Sequence, residues 1–405
     1  MRSILLLLLG GLLISCGGHQ QKFEKNDPSN KLKDFKQTPT RLALESEIPN
    51  FIDDLDFAGL KVVIQRQLKR YGQFSASRGV VLGDQKYLVG DVVKSLNRFL
   101  VLANDFQDCL LSEFSKDQCQ EKLDVSLRGE FNFYVPNLVP GDLRYGEEDP
   151  VFFTGYYTPT LEASKTKTNR FKHPIYAKPR SSALRKKTRA QIDFNHALKG
   201  HGLELFYIDD LFSQYLLHVE GGGKVLLADG TSMYLSYAGT NKQRWNFISK
   251  YMISKGMISD GSISSQRNYL ALHPEHRQEV YSSCPSYVYF KKTVTPPFGN
   301  DNVPLTDRRS IATDRKLYPF KGLLTFVQTK RMRESDVARW QNGKRVRYRN
   351  YSRFYLDQDT GGAITGKGRV DLYFGEGSYA QAGSSVMKQR GDLMYLMLKP
   401  APHEQ

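Results

Sequence analysis

Residues 355–375 read YLDQDTGGAITGKGRVDLYFG, and this stretch decides both the fold and the candidate chemistry of the chain. Asp359 follows a short run of alternating apolar residues, 351–356, and two adjacent glycines come soon after it. A second strand-like run, residues 369–374, carries Asp371. Two strands joined by a tight glycine-rich turn can bring their carboxylates side by side. Like charges held close together raise the pKa of one carboxyl group towards neutrality, which suits acid and base catalysis.

A third carboxylate, Asp314, lies upstream in the segment Ala312-Thr313-Asp314-Arg315. Asp359 and Asp371 can instead be residues of turns and strand ends, because aspartate beside glycine is ordinary turn chemistry. Spacing alone favours that structural role over a catalytic one.

Together these segments resemble the three-aspartate (3D) domain that ends the membrane-bound lytic murein transglycosylase A family. Further segments resemble that family in the same order, namely Gly155-Tyr156-Tyr157-Thr158-Pro159, Leu235-Ser236-Tyr237-Ala238-Gly239 and Pro285-Ser286-Tyr287-Val288-Tyr289-Phe290. The resemblance extends from about residue 153 to residue 400.

The resemblance implies a mainly β fold with α-helical segments, in which a double-psi β-barrel domain carries an inserted smaller β-domain. The barrel domain would comprise residues 42–159 together with 284–405, and the insert would comprise residues 160–283. A groove between the two domains would hold the glycan substrate.

The resemblance also implies a lytic transglycosylase, which cleaves the β-1,4 bond between N-acetylmuramic acid and N-acetylglucosamine in peptidoglycan. Asp371 would first act as the general acid that protonates the glycosidic oxygen. It would then act as the base that takes the proton from the muramoyl C6 hydroxyl as that oxygen attacks C1, which gives a 1,6-anhydro ring. Asp359 and Asp314 would tune and orient Asp371, and no cofactor is implied.

Several residues of the matching segments are candidates for binding the sugar. They are Tyr156, Tyr157, Thr158, Glu220, Gly221, Tyr237, Gly361 and Gly362. One position departs from the family, whose Val-Gln-Gly-Ser-Gly segment stands here as Val219-Glu220-Gly221-Gly222-Gly223. Glu220 is therefore either a substitute for a sugar-binding amide or a second carboxylate in the groove.

Two other functions remain open from the sequence. A hydrolase on the same barrel would use Glu220 or Asp359 to activate water, as paired-carboxylate glycosidases do. A non-catalytic, expansin-like lipoprotein would bind the cell wall without releasing soluble fragments.

The first residues of the chain predict export. Residues 5–14 are almost wholly apolar, follow Arg2, and are too few to span a bilayer as a helix, which is typical of a secretory signal. Leu13-Ile14-Ser15-Cys16 resembles a bacterial lipobox, in which Cys16 is lipidated and becomes the mature N-terminus. The alternative is an ordinary signal with an incidental cysteine.

Residues 1–15 are accordingly predicted to be a lipoprotein signal peptide. Residues 16–41 are predicted to be the lipidated cysteine and a flexible tether, because they are polar and hold too few apolar residues to build a core. Gly17 stands where an aspartate would resemble an inner-membrane retention signal. We therefore expect the protein to be anchored by lipid at the periplasmic face of the outer membrane.

The formal net charge of +16 favours an acidic partner. Nucleic acid is a poor candidate behind a secretion signal, whereas peptidoglycan carries lactyl and peptide carboxylates in the right compartment. Cys109 and Cys119 can form a disulfide or remain buried thiols, and Cys284 is predicted to be structural. No His/Cys cluster has metal-ligand spacing, so no metal is predicted.

Apolar spacing predicts helices over residues 53–71 and from Asp91 onward, with Asp91 as the cap. A further helix is predicted over residues 248–255, ending at Gly256.

Overall fold

The computed structural model describes residues 38–138 and 151–400. The predicted signal peptide, Cys16 and most of the predicted tether lie outside the described residues. Within the described ranges, no helix is both long enough and apolar enough to cross a membrane.

The strands of the described residues follow one another along the whole chain. They are β1 (Thr40–Leu42), β2 (Gly79–Leu82), β3 (Gln85–Leu88), β4 (Phe131–Pro136), β5 (Val151–Thr158), β6 (Thr160–Ala163), β7 (His173–Tyr176), β8 (Glu204–Ile208), β9 (Gly222–Leu227), β10 (Ser232–Thr240), β11 (Val288–Thr293), β12 (Ser310–Ala312), β13 (Leu323–Met332), β14 (Tyr348–Asp359), β15 (Arg369–Glu376) and β16 (Lys388–Leu398).

The helices range from 4 to 22 residues and occur in groups between the strands. They are α1 (Leu60–Tyr71), α2 (Val89–Leu110), α3 (Lys116–Glu130), α4 (Ser182–Arg185), α5 (Arg189–Asp193), α6 (Leu211–Glu220), α7 (Ile248–Ser254), α8 (Ile263–Leu272), α9 (Arg277–Ser282), α10 (Val337–Gln341) and α11 (Gly377–Val386).

Six of the strands close into a barrel, in the order β16, β13, β14, β12, β15 and β5, with β5 pairing back onto β16. The pairs β12–β14 and β15–β5 are parallel, and the other pairs of the ring are antiparallel. Strand β4 adds to β16 outside the ring, and β1 adds to β4. The fold is therefore a closed six-stranded barrel with mixed α and β content, which the mainly β prediction anticipated.

The largest hydrophobic core lies between the barrel and the helices that cover it. Helix α2 packs against β16, and α1 packs against β14. The rings of Phe99 on α2 and Phe354 on β14 have centroids 4.6 Å apart, and Phe51 packs on Phe133 at 5.0 Å. All four rings are buried, and the contact of Phe99 with Phe354 helps to fix α2 on the barrel.

Two predicted helix starts are wrong in detail. The first helix begins at Leu60 rather than at residue 53, because Asp53 is fully buried and forms an ion pair with Arg309 at 2.6 Å. The second begins at Val89, so Asp91 lies in its first turn and accepts a hydrogen bond from the backbone N–H of Leu88 at 2.9 Å. Asp91 thus contributes the reciprocal half of a capping box instead of serving as the N-cap itself.

A second sheet, in the order β11, β10, β9 and β6, has a hydrophobic core of its own. Strands β7 and β8 form a separate pair. The helix predicted over residues 248–255 is present as α7, and Gly256 follows it with a positive φ of 69°. The division of the chain into a barrel domain and an insert stays a prediction. Strand β11 belongs to the second sheet although it lies beyond residue 283.

The cysteine pairing that the sequence left open is resolved by the fold. Cys109 near the end of α2 and Cys119 in α3 form a disulfide, with their Cα atoms 5.7 Å apart. Cys284 is buried and free.

Candidate active site

Neighbouring barrel strands bring the three aspartates towards one another. Strand β12 lies between β14 and β15, so that Ala312 is paired with Asp359 on one side and with Asp371 on the other. Asp314 follows two residues after Ala312. Asp359 and Asp371 are thus separated by one strand, or about 10 Å between Cα atoms. This differs from the direct juxtaposition that the glycine turn suggested, because a third strand fits between the two.

Asp371 lies on β15 with its carboxylate held from one side. Its Oδ1 accepts hydrogen bonds from the hydroxyl of Thr154 on β5 and from Nη1 of Arg369 at 2.7 Å. Nη2 of Arg369 also donates to the Thr154 hydroxyl at 2.6 Å, which closes a triangle of contacts. Among the described residues these contacts use only Oδ1, and the side chain is 20% exposed. Oδ2 accepts no hydrogen bond from the residues that the structure describes.

Burial raises the pKa of Asp371 above its ordinary value, and the charge and hydrogen bond of Arg369 oppose that rise. The other two site aspartates are not among the causes of this shift. Desolvation, rather than the repulsion between carboxylates expected from the sequence, thus favours the protonated form of Asp371.

Asp359 ends β14 and is held by an aromatic side chain. Its Oδ2 accepts a hydrogen bond from the hydroxyl of Tyr156 at 3.0 Å. The Tyr156 ring packs on Tyr373, with centroids 5.1 Å apart. Burial raises the pKa of Asp359 to about 6, against the opposing hydrogen bonds from Thr360 and Tyr156. Asp359 thus contacts the Gly-Tyr-Tyr-Thr-Pro segment through Tyr156, and its pKa lies above the ordinary value of a carboxyl group.

Asp314 has a different environment, because backbone groups occupy both of its carboxylate oxygens. Oδ1 accepts from the N–H of Lys316 at 2.9 Å, and Oδ2 accepts from the N–H of Gly366 at 2.8 Å. Gly366 belongs to the loop between β14 and β15, where its φ is 102°. Asp314 thus ties the turn after β12 to the glycine-rich loop that precedes the Asp371 strand.

Glu220 reaches the site from the last position of α6. Its Oε2 accepts a hydrogen bond from the backbone N–H of Tyr157 at 3.2 Å. Burial raises the pKa of Glu220 to about 8; the Tyr157 N–H opposes this rise, and the nearby Asp371 adds to it. Gly221 ends the helix with a φ of 73°, a left-handed conformation that glycine adopts without strain.

Two family models match consecutive parts of the chain. Residues 152–291 match the MltA specific insert domain, and residues 309–397 match the 3D domain. The membrane-bound lytic murein transglycosylase A of Vibrio cholerae is 28% identical over 284 residues, which cover 69% of this chain and 73% of that protein. The Escherichia coli K12 protein of the same name is 32% identical over 257 residues, which cover 62% of this chain and 66% of that protein. The chain belongs to the membrane-bound lytic murein transglycosylase A family.

Solved structures of the family have a similar fold. The structure of E. coli MltA with bound chitohexaose has a TM-score of 0.66 and 24% identity, covering 90% of this chain and 96% of that one. A membrane-bound lytic murein transglycosylase from Agrobacterium tumefaciens has a TM-score of 0.63 and 20% identity, covering 89% and 97%. At these identities the likeness concerns the fold.

The remaining candidate glycan-binding residues lie in different environments. Tyr157 is buried at 6% exposure, and the Thr158 hydroxyl forms a hydrogen bond with the hydroxyl of Tyr373. Tyr237 lies on β10 of the second sheet and is 51% exposed. Gly361 and Gly362 belong to the turn after β14, where the carbonyl of Gly361 accepts from the N–H of Ile364. Tyr156 thus contacts Asp359 directly, whereas Tyr157 and Glu220 contact each other and the charge of Asp371 raises the pKa of Glu220.

Sequence reasoning missed two contacts of Asp371. Arg369 precedes it by two residues, so the period of a β-strand puts both side chains on one face, and this signal could have been used. Thr154 lies 217 residues away and reaches Asp371 only because β5 and β15 pair in parallel. No local pattern could have indicated that contact.

A group of potential metal ligands also escaped sequence analysis. His273, Glu275 and His276 each offer a ligand atom, and these atoms lie within 4.8 Å of one another. The Tyr269 hydroxyl is 2.7 Å from Nδ1 of His276. A short 3₁₀ turn after α8 brings these partly exposed residues together, and no described contact links them to the aspartates.

Proposed function

We propose that this protein is a lytic transglycosylase that cleaves the β-1,4 bond between N-acetylmuramic acid and N-acetylglucosamine and forms 1,6-anhydromuramic acid. The environment of Asp371 supports this proposal most directly. Its pKa is raised by burial, its Oδ1 is fixed by Thr154 and Arg369, and the side chain remains 20% exposed. A general acid benefits from this combination of a raised pKa and access for the substrate.

Asp371 would act twice in one reaction. In the first step, Oδ2–H protonates the glycosidic oxygen, the bond to C1 breaks, and the N-acetylglucosamine portion leaves as the alcohol. In the second step, the C6 hydroxyl oxygen of the muramoyl residue bonds to C1, and its proton passes to the Asp371 carboxylate. The acid is thereby regenerated and no water is consumed, so a single carboxyl group is sufficient.

The other candidates would support Asp371 and bind the glycan. Asp359, held by Tyr156, would provide charge on the opposite side of β12, where an oxocarbenium-like transition state gains positive charge. Asp314 would orient the glycine-rich loop through its backbone contacts. The remaining candidate glycan-binding residues are Tyr156, Tyr157, Thr158, Glu220, Gly221, Tyr237, Gly361 and Gly362.

The glycan would bind in a groove between the barrel, which we propose to be of the double-psi type, and the inserted β-domain. The bound chitohexaose of the E. coli relative supports a glycan ligand. The relatives are named membrane-bound, which supports attachment through Cys16 at the periplasmic face of the outer membrane. The +16 charge would favour the acidic polymer as well as an anionic membrane surface.

Mass analysis of purified murein digested with the protein tests the proposed reaction. The expected fragments end in 1,6-anhydromuramic acid and are lighter by one water than hydrolytic products. Fragments with a reducing muramic acid would instead support the hydrolase alternative, which the proximity of Glu220 to Asp371 favours. Binding to murein without any release of fragments would support the expansin-like alternative.

We expect Arg369→Gln to shift the pH dependence of this activity. Arg369 lowers the pKa of Asp371 through its charge and a 2.7 Å hydrogen bond, so its neutralisation raises that pKa. The protonated acid then persists to higher pH, and the alkaline limb of kcat/KM moves up by about 1 pH unit. The shift is kept small by solvent screening of this partly exposed pair. A limb that moves down or stays in place would contradict the role of Asp371 as the acid.

A further inference from the structure

Glu220 forms a hydrogen bond with strand β5, and the same strand also contacts Asp359 and Asp371. Its Oε2 accepts from the N–H of Tyr157 on β5. On the same strand, Tyr156 donates to Asp359 and Thr154 donates to Asp371. Helix α6 therefore places a carboxyl group beside the residues that we propose to perform catalysis.

The hydrogen-bonding capacity of a carboxyl group depends on its protonation. An ionised carboxylate only accepts hydrogen bonds, whereas the neutral acid has one accepting carbonyl oxygen and one donating O–H. A glutamine side chain has the same pairing of a carbonyl oxygen with an N–H donor. A glutamine at position 220 would therefore reproduce the hydrogen-bonding pattern of the neutral acid without its titration.

We propose that Glu220 works as a neutral carboxylic acid, in which Oε2 accepts from Tyr157 and Oε1–H donates to an acetamido carbonyl or hydroxyl of the glycan bound beside Asp371. This inference rests on the proposed function of the site. It assigns Glu220 to substrate positioning and removes it from proton transfer and from the activation of water.

The surroundings of Glu220 favour the neutral form. Burial is the main cause that raises its pKa to about 8, and Asp371 adds a further rise. Helix α6 packs against β5, β7 and β9, shares a hydrophobic cluster with α7, α8 and α9, and contacts α5 through His218 and Arg189. The charged or titratable side chains on these elements and on β15 are Tyr156, Tyr157, His173, Tyr176, Arg189, Asp193, Lys224, Lys250, Tyr251, Arg267, Tyr269, Arg277, Glu279, Tyr281, Arg369, Asp371, Tyr373 and Glu376.

The cations of this set that form described ion pairs have partners other than Glu220, and these include Arg189 with Asp193 and Arg267 with Asp210. Lys224 is paired with Glu376 at 3.2 Å, and Arg369 is paired with Asp371 at 2.7 Å. His173 stays neutral, because burial lowers its pKa to about 4. No cation among the described residues forms an ion pair with Glu220 that would favour its ionisation.

A neutral Glu220 predicts a specific pH dependence of activity. Ionisation of Glu220 removes the donor and places a second negative charge near Asp371. Since Asp371 must also be protonated, two protons are lost from the productive enzyme at high pH. Above pH about 8 the wild-type kcat/KM should fall with the second power of proton concentration. In Glu220→Gln it should fall with the first power only.

Substitutions of Glu220 distinguish a side chain that donates a hydrogen bond to the glycan from one that transfers protons. At pH 6, Glu220→Gln should lose much less kcat/KM for murein than Glu220→Leu, which should lose about 10-fold through a lost hydrogen bond, mainly in KM. Glu121→Gln, at an exposed position of α3, is the matched control and should change neither value. A loss of 100-fold or more in Glu220→Gln would mean that Glu220 transfers protons or acts as a carboxylate, and would overturn the proposal.

Thermal unfolding tests the protonation state without using activity. Because the pKa of Glu220 is higher in the folded than in the unfolded chain, its contribution to stability falls as pH rises from about 4.5 to about 8. The Tm difference in favour of Glu220→Gln should be smallest at about pH 4.5, grow up to about pH 8 and level off above it. A constant Tm difference would overturn neutrality. Should the wild type fail to form anhydro products while this pattern persists, only the proposed function fails.

Discussion

Asp371→Asn is expected to release almost no soluble fragments from purified murein while still binding it. Asparagine keeps the shape of the side chain and a carbonyl oxygen that can accept from Thr154 and Arg369, but it has no transferable proton. Positioned acid–base groups contribute about 10²–10⁴-fold to rate, and a residue that serves both steps should lie at or beyond the top of that range. Chromatography of digested murein measures the loss, and co-sedimentation with murein measures binding.

Asp84→Asn is the matched control, because Asp84 is exposed in the turn between β2 and β3. The control should retain full activity, and circular dichroism should show that both variants are folded. Wild-type rates in Asp371→Asn would remove this residue from the mechanism. Loss of murein binding together with activity would instead assign Asp371 to substrate binding.

The sequence predicted the strands that bear the candidate aspartates better than it predicted the distances between them. The motifs around Asp359 and Asp371 led to strands β14 and β15, and the short Ala312-Thr313-Asp314 segment led to β12. What local spacing could not provide was the order of strands in the ring. Because β12 enters between β14 and β15, the carboxylates lie further apart than a simple hairpin would place them.

The origin of the raised pKa values could likewise not be inferred from spacing. For both Asp359 and Asp371, burial is the largest cause, and burial depends on strands and helices that lie far away in the chain. Glu220 is the clearest case, since its contact with the N–H of Tyr157 joins residues 63 positions apart. The sequence identified it only as a departure from a family pattern and left its chemistry open.

The predicted start of the first helix was wrong for a related reason. Apolar periodicity suggested a helix from residue 53, but the buried Arg309 requires a counter-charge, and Asp53 supplies it from outside the helix. A pairing across 256 residues thus overrides the local pattern. The helix α7 was predicted well because its glycine stop is a local signal.

Lys321→Met is expected to destabilise the protein by about 3–5 kcal/mol, the usual effect of breaking a buried ion pair from one side. Lys321 and Asp357 are both fully buried, with Nζ and Oδ1 3.0 Å apart. Lys321 also donates to the hydroxyl of Thr313, which in turn donates to Asp357 at 2.7 Å. Methionine fills most of the volume but leaves Asp357 without its cation. The free energy of unfolding in urea measures the effect.

The pH dependence of that effect identifies its cause. Burial raises the pKa of Asp357 and Lys321 opposes the rise, so the variant should have a still higher pKa. A group with a raised folded pKa loses stability as pH increases above its unfolded value of about 4, so the deficit should be larger at pH 8 than at pH 5. Lys321→Met/Asp357→Asn should recover part of the deficit and lose this pH dependence. Lys330→Met, an exposed position of β13, should stay within about 0.5 kcal/mol of wild type. A deficit in Lys321→Met that is independent of pH would show that packing, and not the unpaired carboxylate, causes the loss.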